Sequence, residues 1–274
     1  MDLKAYLTHH QNLINKALGR YLPVAGRGPS PIHRAMRYSV LGEGKRIRPI
    51  LAIAACQAVG GKVSQVLHAA CALELIHAYS LVHDDLPAMD DDDLRRGKPS
   101  CHKQFGEAIG ILTGDALLTY AFELLTRANH DASLHLKVIA EVSRAIGTQG
   151  MIGGQVADVE TSGGADLSAA TLEAINTRKT GALIAASVRV GALLGRARPA
   201  QDQALRRYGE RMGLVFQLVD DLLDHDGMAR CRSKETIRRR AERLTRLAVA
   251  ELQPLGRPAD PLRMLAQFIL KRES

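Results

Sequence analysis

The sequence predicts an all-α fold: one domain over residues 1–274, built from about ten helices. Three observations carry this expectation. Apolar positions recur at helical spacing along nearly the whole chain, and no stretch alternates at the two-residue period of a half-buried strand. Aromatic residues make up only 4%, with no Trp, whereas Leu, Ala and Arg abound; that composition favours helices over sheets. Apolar residues reach 46%, which supplies a large core and excludes disorder as the dominant state.

The elements follow in order. Leu3, Leu7, Leu13 with Ile14, and Leu18 mark an amphipathic helix over 3–20. The stretch LPVAGRGPSP at 22–31 reads as a loop. A second helix starts near His33 and ends around 41–44. Pro49 then falls where the first turn of an apolar helix at 50–59 tolerates it, because the first turn needs no N–H from that residue. Gly60-Gly61 ends this helix, and a long apolar one follows at 65–83. An acidic loop at 84–98 interrupts the pattern. Further helices are expected at 103–110, 113–129, 133–149, 170–195, 200–224, 234–253 and 260–271.

Composition narrows the function classes. Cys56, Cys71, Cys101 and Cys231 form no CxxC pair and no dense framework, which argues against a disulfide scaffold or a structural zinc site. The N-terminal MDLKAYLTHHQNLINKAL has neither the apolar core nor the cleavage site of a signal peptide. No uninterrupted apolar run reaches the roughly 20 residues of a membrane span, so no transmembrane segment is expected and the cytoplasm is the expected compartment. Lys and Arg number 37 against 29 Asp and Glu, a formal charge of +8. That balance suits nucleic acid, a membrane surface or an anionic small molecule alike. The Arg-rich stretch 238–246 alternates with Ile237, Leu244 and Leu247 as the outer face of an amphipathic helix does, so no nucleic-acid partner is expected.

The chemistry concentrates in two acidic motifs. DDLPAMDDDD places Asp84, Asp85, Asp90, Asp91, Asp92 and Asp93 within one short loop directly after an apolar helix. In DDLLD, the residues Gln217, Asp220, Asp221 and Asp224 share one helical arc, because spacings of three and four return to the same face. Crowded carboxylates repel unless a cation or water relieves them. Oxygen ligands without His or Cys select Mg²⁺ or Mn²⁺, which complete their shells with water and phosphate oxygens. Basic groups stand beside them: Arg95-Arg96-Gly97-Lys98 follows the first motif, and Gly44-Lys45-Arg46-Ile47-Arg48-Pro49 lies upstream. Metal-binding carboxylates next to guanidinium forks suit a polyphosphate. Competing signatures are missing. GGKVS at 60–64 fails the P-loop spacing, and there is no GxGxxG, HExxH or GxSxG.

Taken together, GKRIRP, HAYSLVHDDLPAMDDDDLRRGKP, RKTGALI (178–184) and GLVFQLVDDLLD (213–224) resemble the trans-prenyl diphosphate synthases, with the bacterial farnesyl diphosphate synthases nearest. The resemblance covers roughly residues 30–226 and includes GDALLTYAFE and GGQVAD. It implies the isoprenoid synthase fold, about ten core helices around a central cavity, usually as a homodimer. It implies condensation of isopentenyl diphosphate with an allylic diphosphate, dimethylallyl or geranyl, assisted by three Mg²⁺. By resemblance, Asp84, Asp85 and Asp90 hold two ions, and Asp220 with Asp224 the third. Arg95, Lys179, Thr180 and Gln217 meet the allylic diphosphate or line its path. Lys45, Arg48, His77 and Arg96 bind isopentenyl diphosphate.

Product length is read from the helix before the first motif. Ser80 lies one turn before Asp84 on the same face, about 6 Å along the axis. Tyr79 sits at about 140° on an ideal wheel, so the wheel alone does not turn it toward the growing chain. In the family the two positions border the tail pocket, and Tyr79, Ser80 and the Pro87-Ala88 expansion resemble a C15 producer. Alternatives are a C20 or C10 synthase, a terpene cyclase, or a catalytically impaired homologue. The last arises from one departure. After about residue 227 the family carries a Gly- and Lys-rich lid, whereas DHDGMARCRSKETIRRRAERL passes almost directly into the next helix.

Overall fold

The computed structural model describes residues 2–26, 28–127, 131–161, 169–224 and 233–272. Cys231 and the expected lid position after residue 227 lie outside the described residues. The fold is all-α, as the sequence predicts. Two compact units make up the chain, residues 2–50 with 67–129 and residues 51–66 with 130–274.

The first unit contains α1 (Leu3–Tyr21), α2 (Ser30–Val40), the start of α3 (Ile47–Ala58), most of α4 (Val63–Asp84), α5 (Cys101–Phe105) and α6 (Glu107–Thr126). The Asp2 side chain caps α1 by accepting from the Lys4 N–H at 2.9 Å. Its buried face is Ile14, Ala17 and Leu18, at the three- and four-residue spacing expected of a helix packed on one side. Pro31 and Pro49 both fall in first turns, of α2 and α3, where a missing N–H costs nothing. Tyr21 stacks on His68 at 4.7 Å, and its carbonyl accepts from the Tyr120 hydroxyl, which joins α1, α4 and α6.

The second unit contains the rest of α3, the start of α4, and α7 (Ala132–Ile146), α8 (Met151–Thr161), α9 (Ala169–Asn176), α10 (Ala182–Leu194), α11 (Pro199–Asp224), α12 (Lys234–Glu251) and α13 (Asp260–Leu270). Most of α10 is buried, including Leu183, Ile184, Val188 and Val190, and it packs against α7 and α11. Leu218 of α11 meets Ile237 and Ala241 of α12, with Leu222, Leu244 and Leu270 against them. Tyr208, fully buried on α11, donates its hydroxyl to the Leu262 carbonyl at 2.7 Å and so ties α13 down. Arg238, Arg239, Arg243 and Arg246 line the exposed face of α12, as read from sequence, whereas Arg240 is half-buried against Glu173 and Leu247 is exposed.

The structure differs from the sequence reading in five places. Gly106, at φ 88°, ends α5, so one helix runs over 107–126 where two were expected at 103–110 and 113–129. The helix α8 was not foreseen, because Gly153-Gly154 reads as a breaker. The expected helix 170–195 carries a π turn at Thr177–Gly181. A two-residue ladder, β1 (Leu94–Arg95) with β2 (Lys98–Pro99), lies inside the acidic loop and is too short to leave a period. Finally, α4 and α6 are long and apolar enough on average to cross a membrane, which a search for uninterrupted runs passes over. In α4 that apolarity is spent on the core, 67% of its most apolar window being buried, and the same helix holds a buried ion pair; α6 is only 39% buried over its window.

Candidate active site

In the first unit, the acidic loop is folded back on the end of α4. The Asp90 N–H donates to the Asp84 carbonyl at 2.8 Å, and the Asp91 N–H to Leu86 at 3.2 Å. Residues six apart in sequence are thereby brought side by side. Asp91 takes φ 50°, a left-handed conformation that Asp tolerates better than most residues. The Asp84 side chain is half-buried and that of Asp90 exposed. Both offer only carboxylate oxygens, a donor set that fits Mg²⁺ or Mn²⁺.

Asp85 takes another course. It is buried, and Arg95 reaches it through Nε at 2.8 Å and through Nη2, which also meets Asp92 at 2.8 Å. Burial pushes the Asp85 carboxyl up, and Arg95 opposes that rise. The β1–β2 ladder aims Arg95: its two-residue turn, Arg96 at φ 54° and Gly97 at φ 73°, has the two positive φ values of a tight hairpin. A neighbouring group, Asp91, Asp93 and His102, holds its ligand atoms within 4.8 Å of one another, and Lys103 Nζ already neutralises Asp93 at 2.7 Å.

The basic residues gather beside this loop. Arg46, buried in a left-handed conformation (φ 52°), donates to Glu74 at 2.6 Å, to the Val40 and Gly42 carbonyls at 2.7 and 2.8 Å, and to Asn15 at 2.9 Å. This pins the connection that carries Lys45 and leads into the first turn of α3, where Arg48 stands. A Cβ on Gly44 would lie 2.8 Å from Arg46 Nη1 and 3.0 Å from Arg96 Nη1, so the Arg96 guanidinium passes directly over that connection. His77 lies among Arg48, Arg96, Arg46 and Arg95; burial first, and these cations second, hold its imidazole well below the usual range. A neutral imidazole ringed by guanidiniums is an anion-seeking arrangement. Sequence reasoning passed over Arg46, although Glu74, the lone acid inside the apolar run of α4, signalled a buried partner.

In the second unit, the π turn presents Lys179 and Thr180. Such turns widen a helix locally and recur at functional sites. Gly154 of α8 lets the turn approach: a Cβ there would lie 2.3 Å from the Lys179 nitrogen. Lys179 Nζ then pairs with Asp158 at 2.6 Å, a partner that the GGQVAD spacing could have suggested. Gly213 serves the other side, since its Cβ would lie 2.6 Å from the Gly181 carbonyl, and this brings α11 against the turn. One turn further along α11, Gln217 donates to the buried Asp221 at 2.7 Å, while Asp220 pairs with Arg272. Asp224 closes α11, and its side chain lies outside the described residues.

Thus the structure gathers Asp84, Asp85, Asp90, Arg95, Arg96, Arg48 and His77 in one unit. It gathers Lys179, Thr180, Gln217 and Asp220 in the other. On α4, Tyr79 is buried with its hydroxyl unpartnered, and burial pushes the phenol up to about 12. Ser80 is half-buried and folds its hydroxyl back on the His77 carbonyl at 3.0 Å.

Comparison with known proteins gives the family to which the chain is similar. The family profile described as Polyprenyl synthetase matches residues 29–242. Over 225 residues, 81% of the chain, it is 48% identical to a chloroplastic geranylgeranyl pyrophosphate synthase of Capsicum annuum, spanning 60% of that relative's length. It is 44% identical to a farnesyl diphosphate synthase of Geobacillus stearothermophilus over 83% of this chain and 77% of that one. The apo crystal structure of an FPP/GFPP synthase from Zymomonas mobilis superposes with a TM-score of 0.92 at 38% identity, over 98% of both chains.

Proposed function

The chain belongs to the polyprenyl synthetase family, and from that premise we propose that it condenses isopentenyl diphosphate with dimethylallyl and then geranyl diphosphate to give farnesyl diphosphate. The observation that carries the reading is the company of the carboxylates. Asp84 and Asp90 adjoin a cluster of Arg95, Arg96 and Arg48 around a neutral His77, and Asp220 stands on the helix that packs against the Lys179 turn. In this reaction the allylic C–O bond breaks, the C–C bond forms at the resulting cation, and one proton leaves. The carboxylates of the two motifs would hold Mg²⁺, which would supply positive charge against the diphosphate as it departs. Arg95, held by Asp85, and Lys179, held by Asp158, are the cations that the family likeness assigns to the allylic diphosphate. Lys45, Arg48 and Arg96 take the second diphosphate, to which His77 offers a neutral N–H. The released proton goes to the departed diphosphate, so no side chain is required as a base.

Two features divide on product length. Tyr79 and the small Ser80, with the relative named a farnesyl diphosphate synthase, favour C15; the relative named a geranylgeranyl synthase favours C20. The test is incubation of the purified chain with isopentenyl diphosphate, either allylic diphosphate and Mg²⁺, with an EDTA control. Product length is read by chromatography after dephosphorylation. A metal-dependent C15 product is expected. A C20 product keeps the reaction and discards the length assignment, and no product from folded protein discards both.

A further inference from the structure

The second acidic motif has a resident cation. Arg272 follows the end of α13, and its side chain crosses to α11. There its guanidinium lies 4.9 Å above the Phe216 ring and pairs with Asp220, one turn later on the same face. Its position is fixed from behind by Leu265, Ala266 and Ile269, all buried on α13, and by Leu270 against the α11–α12 cluster. The pair is largely shielded, with side chains 16% and 23% exposed. Asp221 beside it is served separately by Gln217. The two adjacent carboxylates are therefore each met by a different donor.

We propose that Arg272 is a built-in counter-cation of the second motif, which a divalent ion must displace from Asp220 in order to bind. The proposal rests on the metal-dependent reading above and adds to it an autoinhibitory contact. A guanidinium and a divalent ion compete for the same carboxylate lone pairs, so the ion pair raises the metal concentration at which the motif fills. Stacking on Phe216 holds the guanidinium in place, since the ring face attracts a cation and limits its motion.

The test measures metal binding directly. Free Mn²⁺ is followed by electron paramagnetic resonance while the full chain is titrated without added phosphate, in an Asp84→Ala, Asp90→Ala background that weakens the first motif, and the effect is read as the difference between chains that differ only at residue 272 or 216. Adding Arg272→Met, which keeps the stem over Phe216 and removes the charge, is expected to tighten Mn²⁺ binding about two- to fivefold, the upper part of the range for a single ion pair that is not fully buried. Phe216→Leu, which loosens the seat and keeps every charge, is expected to tighten it less. Unchanged or weaker binding in both variants overturns the proposal. If the parent chain binds no Mn²⁺ in either the native or the doubly substituted form, the metal-dependent reading itself fails. If the parent binds and the variants match it, only the role of Arg272 fails.

Discussion

Ser80 and Tyr79 are neighbours on α4 with different surroundings. Tyr79 is 5% exposed, with its ring edge-on to His83 at 5.9 Å, so a packing role already accounts for much of its position. Ser80 fills little volume, and its hydroxyl is satisfied within its own helix. A bulky residue at 80 therefore has no hydrogen bond to rescue and only space to occupy, one turn before Asp84. Ser80→Phe is expected to shift the product one isoprene unit shorter, to C10, with the fold retained. Product chromatography beside a melting curve checks this, and an unchanged product profile removes residue 80 from the path of the growing chain. At this scale the sequence was informative about residue types and weak about partners. Asp85 and Asp90 look alike in DDLPAMDDDD, yet one is buried against Arg95 and the other exposed. What separates them is the fold-back of a loop through the Asp90–Asp84 backbone bond, which no periodicity encodes.

At the scale of elements, glycine is what the sequence disguised. Gly153 and Gly154 look like helix breakers, but α8 runs through them, and Gly154 is required by contact rather than by a turn. An added Cβ would strike backbone atoms of Lys179 at 2.3 and 2.8 Å, and backbone cannot swing aside as a side chain can. Gly154→Ala should push α8 off the π turn and part Lys179 from Asp158. The expected cost is about 1–3 kcal/mol of stability from overpacking, with at least about a tenfold loss of kcat/KM. Gly19→Ala is the matched control, because nothing lies within 4 Å of its added Cβ and helix propensity alone should make it neutral or stabilising. Equal behaviour of the two variants in melting and kinetics would show that the contact is not limiting. Helices with a clean apolar stripe, α1 and α12 above all, were legible within a few residues. The π turn and the β1–β2 ladder were not, since the first keeps the helical pattern and the second is two residues long.

At the scale of the whole molecule, one buried and one half-buried histidine should weaken the folded chain in acid. His10 is buried beside Tyr6 at 4.2 Å, its Nδ1 has no partner, and burial, with His9 as a lesser cause, pushes its pKa down to about 4. His68, stacked on Tyr21, is lowered by burial and then by Arg127. Both are neutral in the folded chain at pH values where the unfolded chain, with ordinary histidines near 6.5, takes up protons. Their contribution is therefore fully present above pH 6.5 and is lost as the pH falls from there; for His10 the loss continues to about pH 4. Each such group adds a slope of at most about 1.4 kcal/mol per pH unit. His10→Gln keeps a polar side chain that does not titrate, and carboxylate effects common to both proteins cancel in the comparison. Urea unfolding at pH 7.5 and pH 5.0 should show the parent losing about 2 kcal/mol more than the variant over that interval. An equal loss in the two proteins would mean that residue 10 titrates in the folded chain as it does in the unfolded one, and the cause of any weakening in acid would then have to be sought among the other buried groups.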